Sequence, residues 1–216
     1  MENTFAWARV LSLLIGYGFG LFLTAEAVVR ARTGRSVYEF GSHNPGMANV
    51  MHVFGFRAGA LTLAGDVLKT VAACLLCRWL FPEMGQIIVL YAGLGVCLGH
   101  NWPLWHKFRG GKGVAVTCAA LILFSPLWGT AADVAGMLVV FATGYLPLGS
   151  FVIVWLFVIA AFAVHGTEAG VLAVILALIM TQRHFPGLKR VLAGKEERHA
   201  ALLRRGERAE ELHKRK

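Results

Sequence analysis

The sequence predicts an all-α integral membrane protein of about seven transmembrane helices, with its N-terminus outside and its C-terminus cytoplasmic. Three observations lead there. Of 216 residues, 57% are apolar and only 15% charged, against roughly 45–50% and 25% in a soluble domain. The apolar residues fall in runs separated by short breaks bearing Gly, Pro and His. The Lys and Arg residues gather in every second break, as the positive-inside rule requires of cytoplasmic loops.

Length and breakers set the spans. The first run covers residues 5–29. Ala25-Glu26-Ala27 has the form of a cleavage site, but the start Met1-Glu2-Asn3 is not basic and the run is too long for a signal peptide. It therefore reads as a retained helix. A polar stretch, residues 30–57, precedes the second run, 58–81. Pro82-Glu83-Met84-Gly85 makes a tight turn before the third, 86–98, which ends at a glycine-rich loop, 99–113. The fourth run, 114–127, turns at Ser125-Pro126, and the fifth is 131–146. A break at Pro147-Leu148-Gly149-Ser150 precedes the sixth, 151–164, and His165-Gly166-Thr167-Glu168 precedes the seventh, 169–180.

The charges give the topology. Arg30, Arg32, Arg35 and Arg57 flank the first long loop, Lys107, Arg109 and Lys112 lie in the second, and Arg183, Lys189, Arg190 and Lys195 follow the last run. The turns at Pro82, Ser125 and His165 contain no Lys or Arg. An odd number of spans puts all the basic loops on one face. Arg9 and Arg78 lie near outer ends, where long side chains snorkel. Residues 1–187 thus form one membrane domain and 188–216 a basic cytoplasmic tail, attracted to anionic headgroups at about 1 kcal/mol per basic residue. This placement accounts for the net charge of +9 without nucleic acid as a partner. Cys74, Cys77, Cys97 and Cys118 all lie in apolar runs, and no second Cys/His pair accompanies Cys74-Leu75-Leu76-Cys77, so no metal site is read.

Chemistry gathers in two loops on the basic face. The first is Gly41-Ser42-His43-Asn44-Pro45-Gly46-Met47-Ala48-Asn49-Val50, with short polar groups at Ser42, Asn44 and Asn49. Such a loop presents N–H groups to an anion, although the same residues also build plain connectors. The second runs from Gly99-His100-Asn101-Trp102-Pro103 to Lys107-Phe108-Arg109-Gly110-Gly111-Lys112-Gly113-Val114-Ala115. Its glycines let the backbone approach an anion, the following helix N-terminus adds partial positive charge, and Lys112 adds a full one. This is a phosphate cradle without Walker A spacing and without a preceding strand. A basic turn against lipid phosphate is its alternative reading. Asp66 and Lys69, spaced i and i+3, share a face of the second span and read as a structural ion pair beneath the active face. Arg183-His184 close the last span on the same side as the loops.

These residues resemble the bacterial acyl-phosphate-dependent glycerol-3-phosphate acyltransferases of the PlsY type. The family's first motif reads G-S-G-N-I/P-G-A-T-N-V-L-R-T-x-G-x-x-A-G, leading into L-x-x-D-x-x-K-G. Gly41-Ser42, Asn44-Pro45-Gly46, Asn49-Val50, Gly55, Ala58-Gly59, Asp66 and Lys69 match it in register. The second, G-H-x-F-P-x-F-x-x-F-K-G-G-K-G-V-A-T, is matched by Gly99-His100, Pro103, Phe108, Gly110-Gly111-Lys112-Gly113 and Val114-Ala115. Thr143, Tyr145, Leu148 and Ser150 match T-R-Y-x-S-L-x-S. Arg183-His184, Arg190, Leu192, Gly194 and Glu196 match R-H-R-E-N-I-x-R-L-L-x-G-x-E. The chain departs from the family at His43 for Gly, Ala48 for Thr, His52 for Arg, Val116 for Thr, Gly144 for Arg, Pro147 for Ser and Pro186-Gly187 for Glu-Asn.

The resemblance implies transfer of an acyl group from acyl phosphate to the 1-hydroxyl of glycerol 3-phosphate, giving lysophosphatidate and phosphate for phospholipid synthesis. It implies no cofactor and no metal, because an acyl phosphate is already activated and positioning with oxyanion stabilisation supplies the acceleration. The partners are the two phosphorylated substrates and membrane lipids, and the expected unit is a monomer in the bacterial inner membrane, multi-pass, with a cytoplasmic active face. Ser42, His184 and Lys112 are the expected catalytic residues. Lys112 and the N–H groups of residues 110–113 would hold a phosphate, and His184 would be base or hydrogen-bond partner to the attacking hydroxyl. Asn44, Gly46, Asn49, His52, His100, Gly110, Gly111 and Gly113 complete the expected binding set. The departures keep two other readings open: a relative with another acceptor or donor, and a non-catalytic protein that binds lipid or phosphate. If protonated His52 replaces the family's arginine, activity falls as pH rises through the histidine range, and a rate that stays flat between about pH 6 and 8 rules this out.

Overall fold

The computed structural model describes residues 2–198, with side chains from residue 5 onward. Among the described residues the regular elements are all helical: α1 (Glu2–Gly20), α2 (Thr24–Thr33), α3 (Met47–Phe54), α4 (Phe56–Leu80), α5 (Ile87–Asn101), α6 (Val114–Phe124), α7 (Pro126–Thr143) and α8 (Leu146–Leu192). Short 3-10 turns sit at Val37–Glu39, Pro82–Met84 and Leu104–His106. Five stretches of the described residues are long and apolar enough to cross a bilayer. The last of them, α8, breaks at Gly166 (φ 84°, ψ −175°) into two antiparallel-capable halves. With α6 as a short further crossing, the seven passes expected from the sequence are accounted for.

The boundaries differ from expectation where tertiary contacts override local signals. The first run is not one helix over residues 5–29. It breaks after Gly20, and α2 restarts at Thr24. The Phe22 carbonyl at this break accepts a hydrogen bond from Lys69 Nζ at 2.7 Å, and Thr24 Oγ1 donates to Asp66 Oδ1 at 3.1 Å. A broken helix survives at membrane depth only when its freed backbone groups find such partners. At the other end of the chain, α8 begins one residue before Pro147, where a first-turn proline fits, and it runs through Pro186 to Leu192. It therefore extends past residue 187, and residues 199–216 of the expected tail lie outside the described residues.

Helix α6, at 11 residues, is about 16 Å long, roughly half the thickness of the hydrocarbon core. In the loop before it, Gly110, Gly111 and Gly113 are buried in the bundle. Non-helical backbone is tolerated there because protein, not lipid, surrounds it.

Small residues set the tightest helix contact. Gly16 and Gly20 of α1 face Gly95 and Gly99 of α5, each pair spaced i and i+4. A Cβ added at Gly95 would lie 2.3 Å from the Leu13 carbonyl oxygen, and one at Gly99 would lie 2.2 Å from that of Tyr17. Backbone-to-backbone approach of this kind drives helix association in lipid, where apolar burial alone gives little. Gly136 and Gly149 make the same kind of contact between α7 and α8. At the end away from the glycine-rich loop, Glu168 of α8 accepts from Arg9 Nε of α1 at 2.7 Å and from Tyr91 Oη of α5 at 2.9 Å.

Gly95→Leu should separate α1 from α5 and cost about 1–3 kcal/mol or more of stability. Thermal unfolding in detergent checks it against Gly18→Leu, which meets no atom within 4 Å and should leave the melting temperature unchanged.

Candidate active site

Three segments distant in sequence close one cavity of about 620 Å³. The loop before α3 contributes Tyr38, Ser42, His43 and Asn44. The loop before α6 contributes Phe108, Arg109, Gly110 and Lys112. The end of α8 contributes Arg183, Pro186, Gly187 and Arg190. Among these lining residues four are cationic and none carries a carboxylate. The volume is within the range of small-molecule sites, and the charge suits anions.

The first loop is held from within. The buried Asn49 side chain accepts from the Ser42 N–H at 2.8 Å and donates to the Phe40 carbonyl at 3.1 Å. Gly41 (φ 54°) is required beside it, since a Cβ there would meet Asn49 Oδ1 at 2.3 Å. His43 adopts φ 58°, the left-handed region that a glycine takes freely and histidine occupies less often. Its Nδ1 donates to the Tyr38 carbonyl at 2.7 Å, which offsets the strain. Upstream, the Glu26 carboxylate accepts from the Val37 N–H (2.8 Å), Ser36 Oγ (3.0 Å) and Arg30 Nη2 (2.6 Å), tying the loop to α2.

The second loop is clamped on two sides. Gly110 N donates to the Asn101 carbonyl at 3.1 Å and Gly111 N to the His100 carbonyl at 3.0 Å. Arg183 of α8 donates from Nη2 to the Gly110 carbonyl (2.9 Å), and from Nη2 and Nε to that of Gly111 (2.7 and 3.1 Å). Its guanidinium also lies over the Trp102 ring, 5.5 Å from the centroid. These bonds correct one expectation. The N–H groups of Gly110 and Gly111 are committed to α5 carbonyls and do not face a ligand. The anion donors that remain are the Lys112 side chain and the first turn of α6, which starts at Gly113 (φ 80°) without a side-chain cap. Burial lowers the Lys112 pKa from its ordinary value; Glu196 opposes this, and Arg190 and Arg183 reinforce it. Burial pushes the Tyr38 hydroxyl up to about 12, so it stays protonated and donates to the Arg109 carbonyl.

The sequence-expected residues divide. Ser42, Asn44, Gly110 and Lys112 line the cavity. Asn49 supports the first loop from behind, and Gly46 is the N-cap of α3. Gly111 and Gly113 lie beneath the lining. His100 is 4% exposed and points into the bundle, where Lys69 Nζ lies 3.0 Å from its Nδ1. Lys69 Nζ is also 2.8 Å from Asp66 Oδ1. His184 is 3% exposed, with Nδ1 donating to the Met180 carbonyl at 2.9 Å, which leaves the lone pair on Nε2. His52 is half-buried on α3 and stands outside the lining. Sequence reasoning left Arg183, Arg190, Arg109 and Tyr38 out of the site. A signal was available: Arg183, Gly187 and Arg190, at i, i+4 and i+7, share one helix face, and His184, turned about 100° away, faces the core.

Several departures from the family pattern are neighbours in space. Gly187 packs against Pro147, where a Cβ would lie 2.7 Å from the proline Cγ. Gly144 leaves room for the stem of Arg198, whose Cβ and Cγ lie 3.0 and 3.1 Å from where a Cβ would stand.

The model of the glycerol-3-phosphate acyltransferase family matches residues 10–194. Glycerol-3-phosphate acyltransferase 1 of Lactobacillus acidophilus is 39% identical over 176 residues, covering 82% of this chain and 84% of its own length. The glycerol-3-phosphate acyltransferase of a Thermoanaerobacter species is 36% identical over 190 residues, 88% of this chain and 94% of its own. Two crystal structures of PlsY, an integral membrane glycerol 3-phosphate acyltransferase, share the fold. Its glycerol 3-phosphate form superposes with a TM-score of 0.75 at 24% identity, over 89% of this chain and 94% of that one. Its lysophosphatidic acid form gives 0.77 at 23% identity, over 88% and 94%.

Arg183→Lys should loosen the glycine loop, because an ammonium cannot bridge two carbonyls in a fixed fork. A charged hydrogen bond is worth about 1.5–3 kcal/mol, so inorganic phosphate binding, read by calorimetry, should weaken roughly tenfold or more.

Proposed function

The chain belongs to the glycerol-3-phosphate acyltransferase family, and from that premise we propose that it transfers a fatty acyl group from acyl phosphate to the 1-hydroxyl of glycerol 3-phosphate. The observation that carries this reading is a cavity in which four cations and two short polar side chains, Ser42 and Asn44, meet at one end of an apolar bundle. Both substrates present phosphate to such a site, and the acyl chain lies among the helices. In the reaction the hydroxyl oxygen bonds to the acyl carbon and the bond from that carbon to the phosphate oxygen breaks. Phosphate departs with the bonding electrons, and the hydroxyl proton leaves to phosphate or water.

Lys112 and the start of α6 hold one phosphate, with full and partial positive charge respectively. Arg190, whose Nε is paired with the Glu196 carboxylate, takes the second through its remaining N–H groups, with Ser42 and Asn44 orienting oxygens between them. Arg183 serves chiefly as the clamp of the glycine loop. Holding the two reactants in contact supplies most of what an activated acyl donor needs. The positive-inside rule supports a cytoplasmic cavity, since Arg30, Arg32, Arg35, Arg57 and Lys107 surround the same end of the bundle. The corresponding location is the bacterial inner membrane, with the N-terminus outside and a basic C-terminal tail inside.

The purified protein, given palmitoyl phosphate and labelled glycerol 3-phosphate, should form lysophosphatidate. Lys112→Ala should reduce the rate about ten- to a hundredfold, the worth of a charged hydrogen bond to phosphate. Absence of product from well-folded protein would replace glycerol 3-phosphate with another phosphorylated acceptor. The charged form of Lys112 is the binding form, and its pKa lies below the usual 10.5. Activity should therefore decline as pH rises through that lowered value, earlier than an exposed lysine would dictate, and a pH–rate profile flat through the alkaline range would remove Lys112 from this role.

A further inference from the structure

Beneath the cavity, three segments meet at one ammonium. Lys69 Nζ on α4 lies 2.7 Å from the Phe22 carbonyl at the break between α1 and α2, 2.8 Å from Asp66 Oδ1 on its own helix, and 3.0 Å from His100 Nδ1 at the end of α5. An ammonium has three N–H groups and no acceptor. The carbonyl and the carboxylate can only accept, so each takes one donor, and the third goes to His100 Nδ1. That nitrogen therefore carries the lone pair, and the proton of a neutral imidazole must sit on Nε2.

His100 Nε2 faces the glycine loop. A Cβ built on Gly111 would stand 2.2 Å from it, so the imidazole occupies the space where any side chain at 111 would begin. The same residue's carbonyl accepts the Gly111 N–H at 3.0 Å. His100 thus braces Gly111 with both backbone and ring, opposite the Arg183 clamp, one residue before Lys112.

We propose that His100 is a positioning residue, held by Lys69 and Asp66 with its proton on Nε2, and that its ring fixes Gly111 so that Lys112 is presented to the substrate phosphate. This deepens the acyltransferase reading and rests on it for the identity of the phosphate, but not for the geometry. Without Lys69, Asp66 Oδ1 keeps only the neutral hydrogen bond from Thr24 Oγ1 at 3.1 Å, and His100 Nδ1, now 3.8 Å away, is the titratable group beside it. It would take the proton and turn toward Asp66, withdrawing the ring from Gly111.

Nitrogen NMR of protein labelled in histidine, in lipid nanodiscs, reads the tautomer directly, with the His100 signals identified by their loss in His100→Gln. The expected result is a bare Nδ1 and a protonated Nε2 in the wild type. Lys69→Met should move the proton to Nδ1 and weaken inorganic phosphate binding by roughly tenfold, the scale on which supporting partners of binding groups act. A wild-type proton on Nδ1 overturns the proposal, as does a Lys69→Met variant that switches tautomer with phosphate affinity intact. Should Lys69→Met fail to fold, His100→Gln and His100→Asn carry the test. Glutamine places an N–H near the Nε2 position and should keep phosphate affinity within about threefold, whereas the shorter asparagine should lose it as Lys69→Met does; equal loss in both overturns the proposal. Protein that shows the tautomer and the phosphate dependence yet forms no lysophosphatidate would defeat the acyltransferase reading and leave this one standing.

Discussion

Lys69 holds its ammonium in a bundle interior where its side chain is only 6% exposed, surrounded by helices that are in turn surrounded by hydrocarbon. A charge in that position persists only when paired and fully hydrogen-bonded. Its three acceptors come from the α1–α2 break, from α4 itself and from the end of α5, so satisfying one side chain brings three segments to one point. Removing one partner of such a buried pair costs about 3–5 kcal/mol, because it strands the other charge. The break in the first span and the placement of the glycine loop both depend on this contact. The freed Phe22 carbonyl would otherwise lie unsatisfied at membrane depth, and His100 would have no fixed orientation.

From that node the site is built outward. The His100 and Asn101 carbonyls receive the N–H groups of Gly111 and Gly110, Arg183 closes over the carbonyls of those two glycines, and α6 starts immediately beyond. Because the loop is buried in the bundle, α6 need not span the bilayer alone. Burial strengthens the field of Lys112 on an anion by excluding water, whereas Arg190 is exposed. Two of the loop's glycines therefore work by being held, not by donating to a ligand.

The departures from the family pattern are absorbed locally. His43 accepts a left-handed backbone where a glycine is usual and compensates with a hydrogen bond to Tyr38. Pro147 and Gly187, substituted together, fit one another across the start and end of α8. Gly144 gives up a side chain in a place that the Arg198 stem crosses. The family's arginines at positions 52 and 144 are lost, yet Arg109, Lys112, Arg183 and Arg190 remain in the cavity lining.

The sequence by itself determined the membrane class, the number of passes, and the two loops that carry Ser42, Asn44, Gly110 and Lys112. Those features are local: apolar length, breaker residues and charge sign are written in contiguous stretches. Asp66 and Lys69 were also legible as a pair, because i and i+3 on one helix guarantee proximity. Tertiary structure alone decided that residues 21–23 break the first span, that α6 is short, that the Gly110 and Gly111 N–H groups turn toward α5, that His100 faces Lys69 instead of the ligand, and that Arg183 clamps a loop over seventy residues away. Each of these depends on which donor meets which acceptor across segments far apart in the chain. In a medium without water every buried polar group must find such a partner, and the partner's identity is set by packing, which no contiguous stretch of sequence records.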